Sequence, residues 1–150
     1  MHFARLDSFL HSAWLVPLHH YTIPEYISIH YLLALYGMNH AELEKFCLSL
    51  KGTTTDVKWG NDLCYLIGDK MYCVTSLDQP MTVSMKVLAE EFSELTERDG
   101  IIPAPYMARN QWIFVEKAKA LTLKEWKHYI QQSYKLVLVK LPRKIKMKIG

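Results

Sequence analysis

Five residues of the sequence have side chains suited to holding a nucleic acid strand. Lys58, Lys70, Lys86 and Arg109 carry cations that can neutralise phosphates, and the aromatic Trp59 follows directly after the first of them. Phosphate neutralisation supplies most of the affinity of nonspecific nucleic-acid binding, and aromatic rings stack on unpaired bases. We therefore take these five residues as the candidate DNA-binding set, on the expectation that all of them are exposed.

The same residues also have ordinary structural interpretations. Trp59 and Trp112 are large enough to be core side chains, and lysines are common on any protein surface. Arg109 follows a proline-rich segment whose carbonyl groups it could bond instead of a ligand. The sequence shows no helix-turn-helix, zinc-finger or RNA-binding signature, so it contains no recognisable motif for reading a base sequence.

The formal net charge of +3 conceals a strongly uneven distribution. Residues 117–150 contain ten Lys or Arg and a single acid, Glu125, whereas residues 88–100 contain five acids and a single base, Arg98. A basic end attracts polyanions, but many solvated surfaces have the same asymmetry. Charge distribution alone therefore permits DNA binding without establishing it.

Groups for catalysis or metal binding are sparse. An enzyme would need a nucleophile with a base, a carboxylate pair, a metal cluster or a phosphate-binding loop, and none is evident. From residue 38 onward only His40 and His128 offer imidazole groups. The other five histidines all lie in the first 30 residues, without the spacing or carboxylate partners of a metal site. We expect a non-enzymatic protein without metal or cofactor, and a monomer.

Cysteine usage and hydropathy predict a cytoplasmic location. Cys47, Cys64 and Cys73 are widely spaced, lack the C-x-x-C pattern and are predicted to be buried, reduced thiols. The N-terminus has no secretory-signal pattern, and the apolar run at residues 27–36 is too short to span a bilayer. We therefore expect neither secretion nor a membrane anchor.

The chain divides near Met38. Residues 1–37 hold only three formally charged side chains, and Asn39 with Glu42 then forms a capping-box pattern that starts a helix. We predict that residues 38–150 form the domain and that residues 1–37 are an N-terminal extension, either not native or poorly ordered. A genuine lineage-specific extension is the competing interpretation.

Hydrophobic periodicity places the candidate residues on particular elements. The predicted order is a helix ending at Gly52, strands at 56–59, 63–67, 71–76 and 81–86, a helix at 88–98, a strand at 112–115 and a helix from the capping box at Thr122 to Pro142. Strict alternation in the fourth strand should direct Met81, Val83 and Met85 to the core and Thr82, Ser84 and Lys86 to the other face. Pro103 and Pro105 predict a rigid loop at residues 101–106.

Short connections between successive strands require antiparallel pairing, and the helices are needed to cover one face of the sheet. The sequence therefore predicts an α+β two-layer sandwich, an antiparallel sheet with helices packed on one face. Lys70 should lie at a hairpin tip and Lys86 on the face without helices.

Six segments together resemble the MmcQ/YjbR family of small bacterial cytosolic proteins. They are CLSLKG at 47–52, DVKWG at 56–60, KMY at 70–72, PAPYMAR at 103–109 followed by Trp112, SYKLV at 133–137 and KLPRK at 140–144. The chain departs from the family at Lys51, where proline is usual, and in residues 1–37. The resemblance implies a CyaY-like fold, which agrees with the derived element order, and a DNA-binding role through wing-like hairpins.

The family resemblance suggests iron binding as a further function, and the Pro-Ala-Pro-Tyr loop suggests binding of a protein or a small ligand. Frataxin-type proteins of this architecture bind iron through an acidic first helix, but only Glu42 and Glu44 are available here, too few for such a ridge. The chief rival to DNA binding is a protein- or small-ligand-binding module, in which the Pro-Ala-Pro-Tyr loop lines a cleft with Trp59 and Arg109.

Overall fold

A computed structural model describes residues 37–150 of the chain. The elements, in chain order, are α1 His40–Ser49, β1 Thr53–Lys58, β2 Asp62–Ile67, β3 Lys70–Ser76, β4 Val83–Lys86, α2 Ala89–Thr96, β5 Ile101–Pro103, β6 Trp112–Val115, α3 Leu123–Lys140 and α4 Arg143–Ile149. Single 3-10 turns at Ala108–Asn110 and Ala118–Ala120 flank β6. The predictions made for residues 1–36, including the histidine-rich segment, lie outside the described residues.

The six strands form one antiparallel sheet in the order β1-β2-β3-β4-β6-β5. All four helices contribute apolar side chains to a single core against one face of this sheet. The predicted α+β two-layer sandwich is thereby confirmed. We call the sheet surface away from the helices the open face; it carries a second, smaller apolar cluster that includes Cys64, Leu66, Val74 and Trp112.

Helix α3 is the main cover of the sheet. Its predicted capping box is present, since Thr122 Oγ1 accepts a hydrogen bond from the Glu125 backbone N–H and the Glu125 carboxylate accepts from the Thr122 backbone N–H. Trp126 and Ile130 on its inward stripe are completely buried. Burying side chains of this size contributes roughly 1.5–3 kcal/mol each, so this stripe is a principal source of stability.

The alternation predicted for the fourth strand is confirmed. Met81, Val83 and Met85 are buried in the helix-side core. Ser84 pairs with Val74 of β3 and Phe114 of β6, and it faces the opposite side of the sheet. The open face is therefore built from residues that the sequence pattern had already separated from the core.

Two elements, β5 and α4, are absent from the prediction, and β1 begins at Thr53 and ends at Lys58, where the sequence predicted residues 56–59. Residues 101–103, predicted as loop, form the edge strand β5, in which Ile101 pairs with Val115 of β6. An edge strand tolerates Pro103, because the missing N–H would have had no partner on the outer side. Pro142 ends α3 as predicted, but it also precedes α4, since proline is compatible with a helix start.

Helix α4 is fixed by two glycines with left-handed backbone. Gly52 and Gly68 have φ of 72° and 54°, and a Cβ at either would lie 2.8 Å from Ile149 Cγ2 or 2.7 Å from Ile145 Cγ2 respectively. Both isoleucines pack against the core, while the four basic side chains of this helix are exposed. Of the helices in residues 37–150, none is long and apolar enough to cross a membrane.

Candidate ligand-binding cleft on the open sheet face

Strand register places two rows of side chains side by side on the open face. Cys64, Val74, Ser84 and Phe114 are successive cross-strand partners and form a mostly apolar row. A polar row lies two residues away along the strands, where Asp62 of β2 pairs with Lys58 of β1 and with Ser76 of β3. Side chains two residues apart on a strand lie on the same face, so the two rows are neighbours.

A cleft of about 510 Å³ lies over these rows. Its lining residues are Trp59, Asp62, Val74, Ser76, Thr82, Ser84, Pro105, Tyr106, Met107 and Phe114. The volume lies within the roughly 300–1,000 Å³ typical of small-molecule sites. We call it the open-face cleft.

Two aromatic side chains form the opposite walls of the open-face cleft. Trp59, in the β1–β2 turn, is 70% exposed. Tyr106 is fully exposed and lies in the segment of residues 104–107 after β5, which we call the proline loop. Both have left-handed backbones, with φ of 51° and 64°. This conformation costs a non-glycine residue roughly 1–2 kcal/mol. The tight hairpin turn accounts for the left-handed backbone of Trp59, since Gly60 beside it also has a positive φ of 91°. Packing does not account for the exposure of the two rings, and exposed aromatic side chains are typical of binding surfaces.

The proline loop holds its wall of the cleft rigidly. Ala104 is buried, and its backbone N–H donates to the Trp112 carbonyl at 2.9 Å. Met107 N–H donates to the Ala104 carbonyl at 3.1 Å, which closes a turn around Pro105 and Tyr106. The turn projects the Tyr106 ring into solvent above the sheet, so little backbone conformational entropy remains to be lost when a ligand binds.

Two polar groups in the cleft are available to a ligand. Ser84 is only 9% exposed, and its hydroxyl has no hydrogen-bond partner among residues 37–150. Asp62 is the only charged lining residue, and no cation of the described chain lies within ion-pair distance of its carboxylate. Because the Ser84 hydroxyl opens onto the cleft, it is accessible to water and to a ligand.

The structure places Lys58 beside the cleft but in an ion pair. Its ammonium lies 2.6 Å from an Asp56 carboxylate oxygen on the same strand. The hydrogen bond between them, with their charge attraction, raises the pKa of Lys58 and lowers the pKa of Asp56. Both side chains are exposed, so the pair is open to exchange with solvent ions and to competition from a ligand phosphate.

Lys86 and Arg109 lie near the proline loop. The Lys86 ammonium donates to the Asn110 carbonyl, and burial followed by repulsion from Lys140 lowers the pKa of Lys86. Arg109 is exposed and shares a shallow depression with Tyr106. Neither its guanidinium nor any other part of its side chain bonds the proline-loop carbonyls.

Lys70 is separated from the other four candidate residues. It lies at the β2–β3 hairpin tip as predicted, at the opposite end of β2 from Lys58 and Trp59. A register shift between Tyr65 and Leu66 breaks the alternation of β3, so that Met71 joins the open-face cluster and Lys70 belongs to the other side. Of the five candidates, only Trp59 lines the open-face cleft, while Lys58, Lys86 and Arg109 lie on segments next to its lining residues.

The three cysteines are buried side chains. Cys47, Cys64 and Cys73 are buried and unpaired, as predicted. Burial raises the pKa of Cys64, and hydrogen bonding to Cys47 together with burial raises that of Cys73. A raised pKa keeps a thiol protonated and unreactive at neutral pH. Within residues 37–150, no group of three metal-ligating side chains comes together.

The predicted cleft between the Pro-Ala-Pro-Tyr segment and Trp59 is present, with Pro105 and Tyr106 in its lining, but Arg109 lies outside it. No binding role was predicted for the polar lining residues Ser84 and Asp62. Ser84 was correctly placed on the open face without a role. Asp62 had no distinguishing signal, because its position depends on the hairpin register.

Comparison with known proteins supports the fold. A family model described as YjbR matches residues 48–136. A Deinococcus radiodurans protein with a DUF419 domain is similar in structure, with a TM-score of 0.70 and 20% identity over 79% of this chain and 92% of its own. A Pseudomonas syringae protein has a TM-score of 0.56 and 23% identity, over 66% and 98% of the two chains. No curated protein matches the chain.

Proposed function

The chain belongs to the YjbR family, and we propose that it is a non-enzymatic binding protein that holds a segment of single-stranded DNA across the open-face cleft. The observation that carries this proposal is the pair of exposed aromatic walls, Trp59 and Tyr106, on left-handed backbones. Aromatic side chains on an open sheet stack on unpaired bases, each stacked base contributing about 1–3 kcal/mol. A paired base in a duplex has no free face to offer them.

The cations around the cleft support a strand rather than a free base. Lys58 follows the edge of the polar row, and Lys86 and Arg109 lie at the proline-loop side. At most three phosphates are within the reach of these side chains, and the Lys58 ammonium must first leave Asp56. Because a single strand releases about 0.7 counterion per neutralised phosphate, the expected slope of log affinity against log salt is about −1.5 to −2.

A free planar small molecule is the second candidate ligand. The specific observation in its favour is that no cation lines the cleft itself, where Asp62 is the only charged residue. An uncharged ring system would avoid the repulsion between this carboxylate and a phosphate. Its affinity should be almost independent of salt, whereas that of a DNA strand should not.

The test is a fluorescence-anisotropy titration of the full chain with labelled single- and double-stranded oligonucleotides at low and near-physiological salt. We expect single strands to bind more tightly than duplexes, with the shallow slope given above. Trp59→Ala and Tyr106→Ala should each weaken binding about 5- to 150-fold. Met147→Ala removes an equally exposed side chain from α4 and should have no effect.

Charge variants locate the binding surface. Arg109→Gln should weaken binding and reduce the salt slope by about 0.7. Lys70→Gln, at the far hairpin tip, should change neither quantity. Equal binding of duplex and single strand, or a larger effect of Lys70→Gln than of Arg109→Gln, would contradict the proposal. No binding of any oligonucleotide at low salt would leave the free planar ligand as the candidate.

A further inference from the structure

The polar groups of the open-face cleft have a definite donor and acceptor pattern. Asp62 offers a carboxylate, which accepts hydrogen bonds but donates none. Ser76 Oγ already accepts from the Asp78 backbone N–H at 3.0 Å, so its own proton is free to donate. The Ser84 hydroxyl has neither donor nor acceptor partner in the described part of the chain. The cleft thus combines one strong acceptor group, Asp62, with a hydroxyl donor next to it, Ser76, while Ser84 lies two strands away from Asp62.

The Asp62 carboxylate remains accessible because its neighbour is engaged elsewhere. Lys58 is the cross-strand partner of Asp62, but its ammonium is bound to Asp56. Ser76 is the partner of Asp62 on the other side, so the hydroxyl donor and the carboxylate acceptor are adjacent. An accessible carboxylate beside a hydroxyl can read a ligand edge that presents two donors followed by an acceptor.

Among the DNA bases, only guanine presents such an edge. Its N1–H and N2–H groups are parallel donors that match the two oxygens of a carboxylate, and its O6 is an acceptor for a hydroxyl. Thymine has one donor between two carbonyl oxygens, while adenine and cytosine place a lone pair beside their amino group. These three bases therefore direct an acceptor at the carboxylate, which is repulsive.

We infer that the open-face cleft selects guanine, with Asp62 accepting from its N1–H and N2–H groups and Ser76 donating to its O6. This inference rests on the proposed binding of single-stranded DNA. Stacking on Trp59 and Tyr106 would supply affinity for any base, and the hydrogen bonds to Asp62 and Ser76 would supply the preference for guanine. A charge-assisted pair of hydrogen bonds is strong enough to favour guanine about tenfold.

The experiment uses the full chain and a set of labelled pentanucleotides that differ only at the central base. The background is five thymidines, and the central position is replaced in turn by deoxyguanosine, deoxyinosine, deoxyadenosine or deoxycytidine. Deoxyinosine lacks only the 2-amino group of guanine. We expect the central guanine to bind about tenfold more tightly than thymine, and inosine to lose most of this advantage.

The matched variant is Asp62→Asn, which keeps the side-chain shape but replaces one acceptor oxygen by a donor. It should abolish the preference for guanine over inosine and should strengthen thymine binding, because it removes the repulsion between the carboxylate and the thymine carbonyl, whereas a merely structural defect would weaken the binding of every pentamer. Asp69→Asn, in the β2–β3 turn at the far end of the sheet, is the control and should keep the preference.

The outcomes separate this inference from the proposed function. Equal affinity for all five pentamers would overturn guanine selection and leave single-strand binding intact. A guanine preference that persists in Asp62→Asn would overturn the role assigned to Asp62. If no pentamer and no longer single strand binds at low salt, the proposed function itself fails.

Discussion

Substitutions at Tyr106 can separate two quantities. One is the free-energy cost of its left-handed backbone, and the other is the contribution of its ring to the affinity for single-stranded DNA. The ring is fully exposed, so its removal loses no buried area, and φ is 64°. Tyr106→Ala keeps the left-handed strain, whereas Tyr106→Gly relieves it. Strain relief of roughly 1–2 kcal/mol, reduced by about 0.4–1 kcal/mol for the freer unfolded chain, should make the glycine variant more stable than the alanine variant by about 0.8 kcal/mol at the middle of a range of about 0–1.6 kcal/mol.

The assay is urea unfolding followed by circular dichroism, with single-strand binding measured on the same preparations. The two variants should differ in midpoint but should have the same, weakened affinity for single-stranded DNA, because both lack the ring. Lys127, exposed on α3, provides the control pair. There alanine should be more stable than glycine by about 1 kcal/mol, the opposite sign.

Two results would refute this reasoning. A glycine variant less stable than the alanine variant at position 106, as at the helical control, would show that the residue is not left-handed in solution. A normal affinity in either variant would show that the Tyr106 ring does not contact the strand.

Three further predictions concern the framework. Gly68→Ala should lower the unfolding free energy by about 1–3 kcal/mol, because Gly68 has a left-handed φ and an added Cβ would lie 2.7 Å from a methyl group of Ile145 in α4. An unchanged free energy in urea unfolding would contradict that packing. Ser133→Ala should cost about 2–3 kcal/mol in the same assay, because the buried hydroxyl donates to the Tyr72 carbonyl and accepts from the Lys86 N–H. The hydrogen bond from Arg98 lowers the pKa of Glu125 below its ordinary value of 4.5. Wild type should therefore have a larger unfolding free energy than Glu125→Gln, and this difference should be complete above about pH 5 and should shrink as pH falls below 4.5. An equal difference at pH 7 and pH 3 would exclude this ionic contribution.

Local patterns predicted the parts of the fold that depend on neighbouring residues. The Thr122 and Glu125 capping box and the alternation of Val83, Ser84 and Met85 each involve residues within four positions of one another. Helix and strand geometry make such patterns direct consequences of the sequence. Strand β5 was not predicted, because Pro103 indicates a loop locally, whereas the strand forms through its pairing with the distant β6.

The cleft depended on longer-range information. Whether Trp59 is buried or exposed follows from the left-handed turn that carries it, and its aromatic character was compatible with both. The face of the sheet to which Lys70 belongs follows from the register shift in the β2–β3 pairing, which no composition rule reveals. Asp62 became a candidate only when its strand neighbours were known.

The strand order also has a consequence for when the cleft comes into being during folding. Strands β1 to β4 form a meander whose connections are short, whereas β4 pairs with β6 across the segment from Lys86 to Trp112. Closing that larger loop costs more chain entropy, so this pairing is expected to form after the meander hairpins. Phe114 and Tyr106 are both delivered by that late step. A partly folded chain would therefore display Trp59 without the opposite wall, and binding would report that the sheet is complete.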